Sequence, residues 1–344
     1  MVQLYHFDFA AAIVRTYVSH ASRPWPDPMS EQFDVITMGR IGVDFYPTNP
    51  GPLADVQYFE KFLGGSPTNV AVAAARLGRR SAVITRTGPD PFGAFVHLAL
   101  TKYGVDDRFV HAVLGFQTPV TFCEMFPPDN FPIYFYRAPK APDLEVFSDE
   151  LDLRAIAGAG LFWATVSGLS REPSRSATLA ALSSRHRRHP TILDLDYRPS
   201  FWESIEHAHQ ATAEALSYAT IAVGNVGEAA MAVGSSDPDV AADRLLEMGL
   251  EIAVIKRGPE GVLAKTTTGR VEIPPMSVEV VNGLGAGDAF GGAFCHGVLS
   301  GWPLEDVVRY ANAAGAIVAG RLGCSDAMPT SAEIDVLLKE TSRA

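Results

Sequence analysis

The sequence predicts an α/β protein, a mostly parallel central sheet covered by helices with a smaller sheet beside it. From Phe33 onward, short apolar runs alternate with longer helical patterns, the rhythm of βαβ units. Each run is limited by polar or Gly/Pro residues, as strands buried in a sheet core are. Two stretches, 42–62 and 116–137, break that rhythm with aromatics, Thr and Pro, and read as antiparallel strands inserted into the scaffold. A length of 344 residues suits either two domains or one large α/β domain.

The elements follow in order. Residues 1–30 read as a peripheral extension, with a Pro-rich linker over 20–30 and Met29 as an alternative start of translation. The main domain is expected over 31–340. A strand at 34–39 ends in Gly39, and an Ala-rich helix at 69–78 is stopped by Gly78. A strand at 81–85 precedes a helix at 91–103 closed by Gly104. Alternating segments at 121–126 and 132–136 belong to the inserted sheet. Later strands are expected at 161–165, 191–194, 221–223 and 252–255, with helices at 174–187, 238–248 and 289–299.

Composition excludes several classes. An apolar share of 47% with 19% charged residues describes an ordinary globular chain. The net charge of −11 argues against nucleic-acid binding, which needs a basic face. No apolar run approaches a membrane span. Cys123, Cys295 and Cys324 lie far apart, giving neither a disulfide framework nor zinc spacing, so a reducing cytoplasm is expected.

The strongest chemical signal is Asn282-Gly-Leu-Gly-Ala-Gly-Asp288 at the head of an apolar helix. Closely spaced glycines at a helix start expose backbone N–H groups to one point, and the helix dipole adds positive potential. An aspartate there suits proton abstraction from a substrate hydroxyl while the N–H groups steady a phosphoryl group. A plain helix N-cap is the alternative reading of Asp288. Neither the dinucleotide fingerprint nor the P-loop is present. A second signal is Gly64-Gly-Ser-Pro-Thr-Asn69. Its glycines allow close backbone approach, while Asn69 and Asp44 offer hydrogen bonds to sugar hydroxyls; ordinary turn and capping roles explain the same residues. His186 and His189 read as part of a solvated helix end, Trp163 and Trp202 as core or pocket wall. Ser66 and Ser167 lack a histidine partner at recognisable spacing.

Gly64-Gly65, Asn225-Val-Gly-Glu228 and Gly285-Ala-Gly-Asp288, in that order, resemble the PfkB (ribokinase-like) carbohydrate kinases over residues 33–338. The resemblance implies a three-layer α/β/α sandwich with a small β-sheet lid over 42–62 and 116–137. It implies Asp288 as catalytic base, with Gly285, Ala286 and Gly287 as its anion hole. Asn225 and Glu228 would organise Mg²⁺ and phosphate, the latter through water. Lys256, Gly258 and Gly261 would lie beside the nucleotide, with Asn312 at the adenine and Arg198 near the phosphates. Asp44, Gly64, Gly65 and Asn69 would hold the sugar. One departure stands out: Asn282-Gly283 replaces the family's usual Asp-Thr.

The segments 194–202 and 325–330 are similar to those of acid-sugar kinases. They imply ATP- and Mg²⁺-dependent phosphorylation of 5-dehydro-2-deoxy-D-gluconate at its 6-hydroxyl, in inositol degradation. The alternatives are 2-keto-3-deoxygluconate, fructose or ribose as acceptor, or a nucleotide-binding regulator without catalysis. An acid sugar needs a cation, and the resemblance offers Arg137 with Lys140 behind it. A solvated strand-end charge is the other reading of Arg137. A homodimer through the lid sheet is expected, without nucleic-acid or membrane partners.

Overall fold

Successive residues of a buried strand point to opposite faces, and this divides the core of the protein in two. The computed structural model describes residues 32–341; the expectations for 1–30, including the linker and the Met29 start, lie outside them. In chain order the first strands are β1 Val35–Met38, β2 Gly42–Pro47, β3 Phe59–Gly64, β4 Ser81–Thr87, β5 Val105–Asp106, β6 Val110–Ala112, β7 Val120–Cys123 and β8 Ile133–Tyr136. Then follow β9 Leu161–Thr165, β10 Thr191–Asp194, β11 Ile221–Asn225, β12 Ile252–Lys256, β13 Val262–Lys265 and β14 Arg270–Ile273.

The large sheet runs β14-β13-β12-β11-β10-β9-β1-β4-β5, with β6 also on β4. Pairing is parallel from β12 through β9 and β1 to β4, and antiparallel at the β12–β13–β14 edge. In β1 and β9, Val35, Leu161 and Trp163 face one core, while Ile36, Phe162 and Ala164 face the other. The helices Ser66–Arg76, Ala286–Leu299 and Leu304–Ala319 cover the first face; Ser174–Ser184, Ile205–Leu216 and Pro238–Glu247 cover the second. The result is three layers. Strand order reverses between β1 and β9, and the carboxyl ends of the strands at such a reversal open a crevice between diverging loops.

The smaller sheet, β3-β2-β7-β8, falls in the two segments that broke the sequence rhythm. It is mixed rather than antiparallel throughout: β2 pairs parallel with β7, while β2–β3 and β7–β8 are antiparallel. Between β3 and β7 the chain passes through the helices Ser66–Arg76 and Pro91–Tyr103 and the strands β4, β5 and β6, so β2 and β7 are not joined by a hairpin and can pair in parallel. A stacked Phe45–Phe122 pair joins the parallel strands.

Two helix starts differ from expectation. The helix expected at 69–78 begins at Ser66, because Pro67 supplies the fixed φ favoured in a first turn. The helix expected from Ala289 begins at Ala286, with Gly285 as its cap at φ +83°. A side chain at Gly285 would also press on Cys324, its Cβ lying 2.8 Å from Sγ. Asp288 is therefore inside the first turn, and the N-cap reading is wrong. Trp163 is fully buried core. Among the described residues no helix is long and apolar enough to cross a membrane.

Candidate active site

Gly292 explains how the two signal motifs meet. A Cβ there would lie 2.3 Å from the Cβ of Ala73, so only glycine lets the helix Ala286–Leu299 press against Ser66–Arg76. The first turns of both helices then face one another across the crevice. Ser66 Oγ donates to Asp288 Oδ1 at 2.8 Å, and Asn69 Nδ2 donates to Oδ2 at 2.8 Å. Ser325 Oγ in turn donates to Asn69 Oδ1 at 2.7 Å, fixing the amide orientation. Asp288 is held by neutral donors rather than an ion pair. Burial raises its pKa and the Asn69 and Ser66 hydrogen bonds oppose the rise, leaving it above the usual carboxylate range. A carboxylate so held can accept a proton.

The crevice has a volume of about 400 Å³ and is lined by both motifs, the lid strands and the carboxyl ends of β10, β11 and β12. Asp44, on β2, faces Asp288 across it. Burial pushes its carboxyl up to about 7, against the pull of Arg40 and a hydrogen bond with Thr121. Gly64 is not itself part of the wall; a Cβ there would lie 2.2 Å from the Asp44 carboxyl, so it makes room for that group. Gly65 does line the crevice.

At the other end, Asn225 and Glu228 form a reciprocal cap. Glu228 N donates to Asn225 Oδ1 at 2.9 Å, and Asn225 N donates to Glu228 Oε2 at 2.7 Å. Both line the crevice with Lys256, Gly258, Gly285 and Gly287. A Cβ on Gly287 would lie 3.2 Å from Lys256 Nζ, so the ammonium sits beside the amide turn. Burial works to lower the Lys256 pKa, but Asp194, Glu228 and Asp288 together hold it raised. Burial drives Asp194 up; for Asp196 the guanidiniums of Arg40 and Arg198 outweigh burial and hold it down.

Several expected site residues are elsewhere. Lys140 is tied to Glu145 at 2.5 Å and to the carbonyl of Glu172, outside the crevice wall. Arg137 reaches the wall, but both Nη atoms donate to Asp143, at 3.1 and 2.9 Å, and Asp143 is 2% exposed. Its charge is matched inside the protein. Gly261 serves a tight turn at φ +84°, where a Cβ would meet the Ile273 carbonyl. Asn312 Nδ2 donates to the Pro274 carbonyl, away from the crevice wall, and Ala286 supplies the first helical residue between the lining Gly285 and Gly287. Asn282 is fully buried and accepts a hydrogen bond from Leu284 N at 3.0 Å, so its side chain shapes the turn into the amide nest.

The sequence reading missed Arg40, Asp196 and the role of Ser66. Arg40 follows β1 at the strand-order reversal, a position where a charged residue points to a ligand. Asp196 and Arg198, ion-paired at 2.8 Å, leave β10 in the same way.

Phosphate and Mg²⁺ suit this donor set. Arg198 Nε is buried without a partner among the described residues, and the amide nest and Lys256 ammonium add further donors. Mg²⁺ on a nucleotide keeps several waters and needs only one or two carboxylates, and Glu228 offers one at the crevice wall beside Asn225. Among the described residues no cluster forms a closed metal cage.

Residues 32–331 match the pfkB family carbohydrate kinases. A 5-dehydro-2-deoxygluconokinase of Clostridium botulinum is 32% identical over 318 residues, covering 90% of this chain and 94% of that protein. One from Photobacterium profundum is 34% identical over 306 residues, covering 86% and 92%. Among solved structures, a putative ribokinase II from E. coli in complex with ATP and Mg²⁺ superposes with a TM-score of 0.82 at 23% identity, over 90% of this chain and 99% of that one.

Proposed function

This chain belongs to the pfkB family of carbohydrate kinases, and from that premise we propose that it phosphorylates the 6-hydroxyl of 5-dehydro-2-deoxy-D-gluconate with ATP. The observation that carries the reading is the Asp288 carboxylate, held by two neutral donors at the mouth of an amide nest. In this proposal Asp44 and Asn69 hold the sugar, and the acceptor hydroxyl gives its proton to Asp288 as its oxygen attacks the γ-phosphoryl. The 285–287 amides receive the developing charge, and Lys256 and Arg198 hold the phosphates. Bound Mg²⁺ would supply charge neutralisation on the phosphates, with Asn225 and Glu228 as the residues that would hold it through water. The four-stranded sheet acts as a lid that excludes water from the transfer.

A coupled ADP assay over a sugar panel tests this. 5-Dehydro-2-deoxy-D-gluconate should give the highest kcat/KM, above 2-keto-3-deoxygluconate, fructose and ribose. Any other sugar in first place would refute the substrate, and no sugar-dependent ADP release would favour the regulator. The enzyme is proposed to be cytoplasmic, where its free buried thiols stay reduced. We also propose a homodimer through the lid, supported by the exposed Tyr134 and Tyr136 of β8. Sedimentation should give twice the chain mass, and a monomer at micromolar concentration would exclude it.

A further inference from the structure

We infer that Arg40, rather than Arg137, selects an anionic sugar, its Nη1 group meeting the carboxylate of the acceptor. The inference rests on the sugar-acid reading above and adds the residue that enforces it.

Arg40 is 6% exposed, yet it lines the crevice. Its Nε donates to Ser167 Oγ at 3.0 Å, and its Nη2 donates to Asp196 Oδ2 at 2.5 Å. Phe135 of the lid and Phe201 cover the guanidinium, their ring centroids 5.6 and 5.4 Å away. A guanidinium carries five N–H donors, and the two on Nη1 have no partner among the described residues. Unlike the sealed Nε of Arg198, Nη1 is open to the crevice, so an acceptor entering there can reach both donors while Nε and Nη2 are held in place by the protein. A carboxylate is the acceptor whose geometry suits them.

Local charge agrees. Asp196 is shared by Arg40 and Arg198, so the triad keeps one positive charge. Arg137 and Asp143 cancel, and a substrate carboxylate placed there would displace a buried partner rather than fill a vacancy. The two arginines of the triad face different ends of the crevice. After Asp196, Arg198 is held in the field of Glu228, Asp288 and Asp194, at the phosphate end. Arg40 is the main opposing influence on buried Asp44, at the sugar end.

The experiment compares the acid sugar with its C1-alcohol analogue, as substrate or competitive inhibitor, for wild type, Arg40→Ala, Arg40→Lys and Arg137→Ala. Arg40→Ala should raise KM for the acid roughly 10- to 100-fold, the scale of a lost charge-assisted pair, with about threefold or smaller changes for the alcohol and ATP. Arg40→Lys keeps the charge beside Asp196 and should lie between. Arg198 remains to pair Asp196, so both variants are expected to fold. Equal rises for acid and alcohol would overturn the inference, as would a rise for ATP matching that for the acid. If wild type prefers the alcohol, the sugar-acid reading falls and Arg40's role with it. If wild type prefers the acid, and Arg40→Ala keeps that preference while Arg137→Ala loses it, the Arg40 assignment alone falls.

Discussion

Asp288→Asn is expected to lower kcat by about 10³-fold or more, the range for removing a positioned general base. The amide can accept from Asn69 through its oxygen and donate to Ser66 through its nitrogen, so the turn and the crevice keep their shape. KM for sugar and nucleotide should change little. Stability should hold or rise, because burial penalises the carboxylate and the amide carries no such penalty. The pH profile follows with a defined sign. The base works deprotonated, and its pKa lies above the usual carboxylate range, so wild-type kcat falls as pH drops through that raised value. In Asp288→Asn the residual rate should lose this limb. A variant keeping a tenth of wild-type kcat, or an unchanged acid limb, would remove Asp288 from the base role.

How much of this was legible depends on whether the signal was local. Strands at 161–165 and 191–194 and the helix Pro91–Tyr103 match their expected bounds, since each is a short apolar run or periodic stretch closed by turn residues. Helix starts were misplaced by three residues at Ser66 and Ala286, because glycine and proline read as loop although the first helical turn tolerates both. The parallel β2–β7 pairing could not be read locally, as it joins segments separated by two helices and three strands of the main layers. The same holds for the site. Asp288, Asn69 and Asp44 stood out by motif, whereas Arg40 has meaning only once β1 and β9 mark the reversal of strand order. Arg137 shows the opposite error. Its sequence context fits a clamp, but Asp143, six residues on, folds back to neutralise it.

Arg185→Ala should destabilise the protein by about 3–5 kcal/mol while leaving kcat of the folded enzyme unchanged. In sequence, 185–189 reads as a solvated basic helix end, yet Arg185 is 1% exposed and has no carboxylate partner among the described residues. Its Nη1 donates to the carbonyls of Ile156 and Ala159, at 2.8 and 2.5 Å, and Nη2 to that of Pro190 at 2.9 Å. Nε reaches Thr191 Oγ1 at 3.2 Å. These groups lead into the amino ends of β9 and β10, so one guanidinium ties the Ala159 carbonyl to those of Ile156 and Pro190, which also accept from the backbone N–H groups of Ala159 and Phe162. Burial pushes its pKa down to about 10, which still leaves it charged at neutral pH. Arg187 does the same for Ser217 at 3.1 Å and for Gly249. Alanine at 185 would leave a cavity, remove the guanidinium donor from the Ala159 carbonyl and one of two donors from those of Ile156 and Pro190, and lysine, without the planar fork, would recover only part of the loss. Urea denaturation should show a lower midpoint with an unchanged slope. The distance from the chemistry decides the second half of the expectation: Arg185 sits at the amino ends of the parallel strands, and the crevice at their carboxyl ends. A loss below about 1 kcal/mol, at the level of an exposed ion pair, would mean that water replaces the guanidinium at these carbonyls.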